Sequence, residues 1–149
     1  MPNVTNASHL SEASPSVQTH LGFLQGVIER MAANSTSAKA WCITIVSAIL
    51  VIVADKNKPD YAFLALIPTI LFVALDAYYL AMEKGFRNAY NRFVKKVHEG
   101  TLKVDDLYSV RPEGGASKLQ WEAFKSFSVW GFYLVLLIMI LLARSLVLK

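Results

Sequence analysis

The sequence predicts an all-α membrane protein with three transmembrane helices, the second continuing beyond the bilayer, preceded by an N-terminal amphipathic helix. Three observations lead there. Tyr61–Met82 is a run of 22 residues with one charge, Asp76, and ~20 apolar residues in a helix cover the ~30 Å hydrocarbon core of a bilayer. Two further runs, Ala40–Ala54 and Ser126–Ala143, carry no charge at all. The chain is 54% hydrophobic over 149 residues, above the ~45–50% usual for a soluble domain. Too little polar chain is left for a separate soluble domain, so one domain is expected.

Residues 1–15 are rich in Ser, Asn, Thr and Pro, and disorder is expected there. From Val17 an apolar seam begins. Val17, Leu21, Leu24, Ile28 and Met31 recur at spacings of 4, 3, 4 and 3, the signature of one face of a helix over 16–34. Gly22 and Gly26 lie four apart on it, a small-residue pair that lets a second helix approach closely. Either a surface helix or an oligomer contact fits this segment.

Asn34, Ser35, Thr36 and Ser37 offer N-caps for a new helix, which begins a transmembrane hairpin over 35–99. The first span is short. Lys39 extends it by reaching the headgroup layer, and Trp41 suits the aromatic belt. The polar turn Asp55–Asp60, with Pro59, joins it to the second span, so the two are antiparallel. Pro68 falls inside the second run and is expected to kink it.

Beyond Met82, Phe86, Tyr90, Phe93 and Val97 keep 4, 3, 4 spacing. The helix therefore continues out of the membrane to a stop at Gly100. The segment 100–118, with Gly100, Pro112, Gly114 and Gly115, reads as a loop, and 119–149 as a short amphipathic start feeding the third span. The seams over Val17–Met31 and Phe86–Val97 are the expected assembly surfaces, with Gly22, Gly26, Leu24, Ile28, Phe86, Tyr90 and Phe93 as the contact candidates.

Charge sets the expected orientation. Nine of the 15 Lys and Arg residues lie in 83–127. Excess positive charge stays on the cytoplasmic side, so that segment and the N-terminus are expected in the cytosol, and the 55–60 turn and the C-terminus outside. This placement accounts for the net charge of +4 by lipid headgroups and makes nucleic acid an unneeded partner. The single cysteine, Cys42, excludes an intrachain disulfide.

Asp76 is the sharpest chemical signal. An acid at the centre of a membrane helix costs about 2.5–3.5 kcal/mol on insertion scales, so it must face protein or water. Thr69, Asp76, Glu83 and Tyr90 are seven apart and share a stripe. Thr44 and Ser47 are expected at matching depth as hydrogen-bond partners, and Lys39 as an ion-pair partner of Asp76 or Glu83. Such a contact fixes helix packing or gates a water-filled path. The three histidines are scattered without metal-ligand spacing. No nucleophile elbow, Walker loop or dinucleotide fingerprint occurs. No catalytic residue, cofactor, metal or small-molecule substrate is expected, and the chain reads as a non-enzyme.

Two segments resemble a known family. His20-Leu21, Gln25-Gly26-Val27-Ile28, Arg30-Met31, Asn34-Ser35, Lys39 and Trp41 form the first. Leu75-Asp76-Ala77-Tyr78-Tyr79-Leu80 with Glu83, Phe86, Arg87 and Tyr90 forms the second. Together, over roughly residues 20–95, they resemble the RipA-type octameric membrane proteins of bacteria and similar small transmembrane effectors of anti-phage systems, retron systems among them. The resemblance implies an inner-membrane homo-oligomer and marks Gln25, Arg30, Asn34 and Ser35 as recurring polar positions. Arg30 and Asn34, with Glu29 and Lys39, would then form a polar cluster with Asp76 or Glu83, as gate or assembly contact. It implies a pore-like membrane-perturbing effector. A membrane scaffold that recruits a cytosolic partner, or a small channel or transporter, is the alternative.

Overall fold

The computed structural model describes residues 10–56 and 58–147, with side chains to Ser145. Four helices account for most of it: α1 (Pro15–Asp55), α2 (Leu66–His98), α3 (Ala116–Phe124) and α4 (Phe127–Leu142). A 3₁₀ segment, Pro59–Ala65, leads into α2, a 3₁₀ turn, Val104–Asp106, interrupts the loop after α2, and a π turn, Ala143–Val147, ends α4. No strand occurs among the described residues. The apolar parts of α1, of Pro59–His98 and of Phe127–Ser145 are each long enough to cross a membrane.

Helix α1 is one helix of 41 residues. The expected amphipathic helix over 16–34 and the first span are its two halves, and the expected cap at Asn34–Ser37 does not form. The polar side chains there find other partners. Thr36 Oγ1 bonds the Ala32 carbonyl one turn back at 3.2 Å, and Ser35 reaches α2. Neither competes with the helical backbone ladder, and alanines at 32, 33, 38 and 40 favour its continuation. Within the expected tail, the Ser14 amide bonds the Ser11 carbonyl at 2.9 Å and Pro15 opens α1. Residues 1–9 of that tail lie outside the described residues.

Pro68 also differs from expectation. The chain enters the second apolar run as a 3₁₀ segment and becomes α-helical only at Leu66. Pro68 is thus the third residue of α2, just after the change from 3₁₀ to α-helix and not in the middle of the α-helical run.

Helices α1 and α2 pack antiparallel along their length, and α4 returns antiparallel to α2. Two cores result. In the apolar half, Cys42 and Val46 of α1 meet Ala77 of α2 and Val129, Tyr133, Leu136 and Ile140 of α4. In the polar half, Val17 and Leu24 meet Ala89 and Phe93, capped by Leu107 from the loop. Phe86 and Tyr90 pack against this second cluster. The two seams therefore mate with each other inside one chain: Leu24 and Phe93 are buried in that contact, and Phe86 and Tyr90 are half-buried against it. Helix α3 lies along α2 through Leu119, Ala123 and Ala81. Gly85 makes this approach feasible: a Cβ there would stand 2.8 Å from Pro112 Cβ and 3.3 Å from Leu119 Cδ1. Its carbonyl accepts the Glu113 amide at 2.9 Å. The segment 100–118 is thus an ordered strap on α2 and includes the start of α3.

Candidate functional site: a buried lysine–aspartate pair

The Thr69–Asp76–Glu83 stripe is buried. Thr69 Oγ1 bonds the Ala65 carbonyl at 2.7 Å within its own chain segment. Asp76 is 0% exposed and reaches α1. Lys39 Nζ stands 2.6 Å from Asp76 Oδ2, and Ser35 Oγ donates to Asp76 Oδ1 at 2.5 Å. Lys39 also donates to Ser35 Oγ at 3.2 Å. Ser35 and Lys39 are i, i+4 neighbours, so a single turn of α1 presents both groups to one carboxylate. The Lys39 side chain keeps 17% exposure, which fits a stem lying along apolar surface with its head turned inward.

The expected partners Thr44 and Ser47 do not take part. Thr44 bonds the Ala40 carbonyl at 2.9 Å, and both side chains lie on the exposed face of α1. The antiparallel register places Asp76 two to three turns nearer the N-terminus of α1. Lys39 pairs with Asp76, as one of its two expected partners. Glu83 instead pairs with Arg87 on its own helix at 2.7 Å. Arg30 is exposed and Asn34 half-buried, and among the described residues neither bonds to Asp76 or Glu83, so the larger polar cluster does not assemble. Tyr90 accepts a bond from the Gln25 amide at 3.4 Å.

Energetically the pair is a commitment. Two ions in a dry interface lose hydration, and removing one partner of such a pair typically costs about 3–5 kcal/mol. The arrangement holds α1 to α2 at one register. Among the described residues, Asp76 is enclosed.

A second polar cluster lies in the other half. His20 is 2% exposed, and its Nδ1 accepts the Tyr108 amide at 3.0 Å. Its ring rests on Phe93 at 4.3 Å between centroids. Tyr108 carries a φ of 65°, a left-handed conformation rare for a non-glycine residue. Lys96 pairs with Asp106 at 2.6 Å, and Arg92 with Glu113 at 2.9 Å. These contacts tie the strap to both long helices around a pocket of 250 Å³. Burial pushes the His20 imidazole below its ordinary value, with the Asp106 carboxylate pulling the other way. The hydrogen bond from Lys96 holds Asp106 below the usual carboxylate range. In the sequence, His20 stands only as one of three scattered histidines and as the first residue of the family-like segment, and no local pattern points to its partner, a backbone amide 88 residues away.

The contact candidates on the outer face of α1 remain free within the chain. A Cβ at Gly22 or Gly26 would meet nothing within 4 Å. At the opposite end, Arg144 bonds Asp60 at 2.9 Å and lies over the Phe63 ring at 4.7 Å, closing α4 onto the hairpin turn. Among the described residues no three His, Cys, Asp or Glu side chains gather as metal ligands.

Fold and site together define an all-α protein with three membrane-length helices and a lysine–aspartate pair buried between two of them. Comparison with protein-family models, curated proteins and solved structures found no match.

Proposed function

We propose that this chain is a bacterial inner-membrane protein that assembles with copies of itself and perturbs the bilayer when α1 and α2 part. Anti-phage defence is the setting that the resemblance to RipA-type proteins and small effectors implies. The positive-inside asymmetry supports a cytosolic position for the polar half. The observation that carries the reading is the Lys39–Asp76 pair, enclosed between two helices that run from the polar half into the apolar half. Facing lipid, either ion alone is costly. Any movement that separates α1 from α2 must hydrate both, and water then enters to the depth of Asp76. Three spans enclose no sizeable channel, so a conducting path needs several copies. Gly22 and Gly26 support assembly: each helix glycine costs about 1 kcal/mol against alanine, and packing within the chain does not require either.

The test is membrane potential, followed with a voltage-sensitive dye during induced expression at matched membrane levels. Lys39→Met is expected to depolarise cells at levels where the wild type does not. The exchange Lys39→Asp with Asp76→Lys is expected to restore the quiet state. Unchanged potential in every variant, and in the wild type at the highest level, overturns the reading.

A second reading rests on Val104 and Tyr108, exposed on the ordered strap at 67% and 62%. They suit a scaffold that recruits a cytosolic protein. Loss of a co-purifying partner on Val104→Glu, with potential unaffected, favours it.

A further inference from the structure

Helix α3 runs down the side of α2 toward the apolar half. Leu119 stands beside Gly85, Ala123 and Leu119 beside Ala81, and Trp121 and Phe124 beside Ala74, Ala77 and Tyr78. Between the two helices lies a slot of 440 Å³. Its far end is apolar, formed by Ala74, Ala77, Phe124 and Trp121. Its mouth, one to two turns nearer the polar half, carries Ser117 and Gln120. Trp121 is 60% and Phe124 48% exposed, and their rings lie parallel, 6.3 Å apart. Among the described residues no apolar side chain of another element covers their exposed faces.

The charges around this slot are mainly positive. Lys125 Nζ sits over the Trp121 ring at 4.6 Å. Lys84 of α2 donates to the Glu122 carbonyl at 3.2 Å, which holds it beside α3. Lys118 is one turn before Glu122, with which it makes a long contact of 3.9 Å. Lys125 thus lies against a wall of the slot, and Lys84, beside α3, and Lys118, on it, are each in contact with Glu122.

We propose that this slot binds one anionic phospholipid of the adjoining leaflet. One acyl chain lies between Trp121, Phe124 and the Ala74–Tyr78 face of α2, and the phosphate lies among Lys84, Lys118 and Lys125. Three features fit this occupant. The slot is apolar at its deep end and polar at its mouth, the order of a lipid seen from its tail. Trp121 and Tyr78, each with an apolar body and a polar group, favour this depth. The lysines complement an anionic headgroup, and each surface lysine favours anionic over neutral lipid by about fivefold.

The test uses Trp121 as its own probe. Trp41→Phe and Trp130→Phe leave it as the only tryptophan in the chain, which is placed in nanodiscs of phosphatidylglycerol and phosphatidylcholine at equal amounts. Bromine is carried on the acyl chains of one lipid or of the other. Trp121 emission is expected to be quenched about fivefold or more strongly, expressed as bound fraction, when phosphatidylglycerol carries the bromine. Lys84→Gln, Lys118→Gln and Lys125→Gln together bring the ratio to one, with helicity by circular dichroism unchanged. Ala74→Phe fills the slot and lowers quenching by both lipids. Equal quenching by the two lipids in the unsubstituted background overturns the proposal, as does a preference that survives the lysine changes.

Discussion

At the scale of single residues, Lys39 and Asp76 act as one unit. Lys39→Met leaves a carboxylate enclosed with only Ser35 Oγ donating to it. A loss of about 3–5 kcal/mol in unfolding stability is expected, measured by denaturant or thermal unfolding in detergent micelles. Lys39→Met with Asp76→Leu removes both ions, and most of the loss is expected to return. His20 gives a different dependence. Its folded value lies below the ordinary 6.5, so the unfolded chain binds the proton first as pH falls. Its contribution is fully present above that value and is lost as pH drops below 6.5 toward the folded value. Protonation also turns Nδ1 into a donor facing the Tyr108 amide. The groups around it are Arg92 and Lys96 on α2, and Asp105, Asp106, Arg111 and Glu113 on the strap. Unfolding curves between pH 7.5 and 5.5 are expected to show declining stability that His20→Leu abolishes. Asp106 contributes a separate window: its lowered value keeps its stabilisation until pH falls below about 4, an acid's usual range.

At the scale of elements, the apolar runs were legible because length and absence of charge leave few alternatives. Asp76 was legible as a residue that had to face protein or water, and Lys39 as one of its reachable partners. The register between α1 and α2 was not legible. Depth counted from each membrane end placed Thr44 and Ser47 at Asp76, whereas the packed helices bring Ser35 and Lys39 there. The continuity of α1 was hidden for a related reason: Asn34–Ser37 reads as a cap until the tertiary partner of Ser35 is known. The strap over 100–118 was hidden because its order depends on backbone bonds, such as Glu113 N–H to the Gly85 carbonyl, that carry no side-chain pattern. Gly85 itself is the test of that packing. Gly85→Ala places a Cβ against Pro112, and a loss of about 1–3 kcal/mol is expected from such overpacking. Limited proteolysis within 100–113 should accelerate in that variant. Gly22→Ala, on the open face of α1, should leave proteolysis there unchanged.

At the scale of the whole molecule, the distribution of glycines separates internal packing from the contacts that the proposed assembly would use. Gly85 is required inside the chain, while Gly22 and Gly26 face outward. A disulfide between copies is therefore expected in membranes from Gly26→Cys in a Cys42→Ala background, seen as a dimer band on non-reducing gels. Val104→Cys, on the strap, is the control and should give far less.

The length of α1 has a mechanical consequence. A straight helix rises ~1.5 Å per residue; if the proposed parting of α1 from α2 pivots at the Lys39–Asp76 contact, α1 acts as a beam over that fulcrum. By that rise, the arm from Lys39 to Pro15 is about 36 Å and the arm to Asp55 about 24 Å. A sideways push at the His20 end is therefore delivered to the far end reversed in direction and about two-thirds in size. Small displacements at one face of the bilayer become comparable displacements at the other, without any helix having to bend.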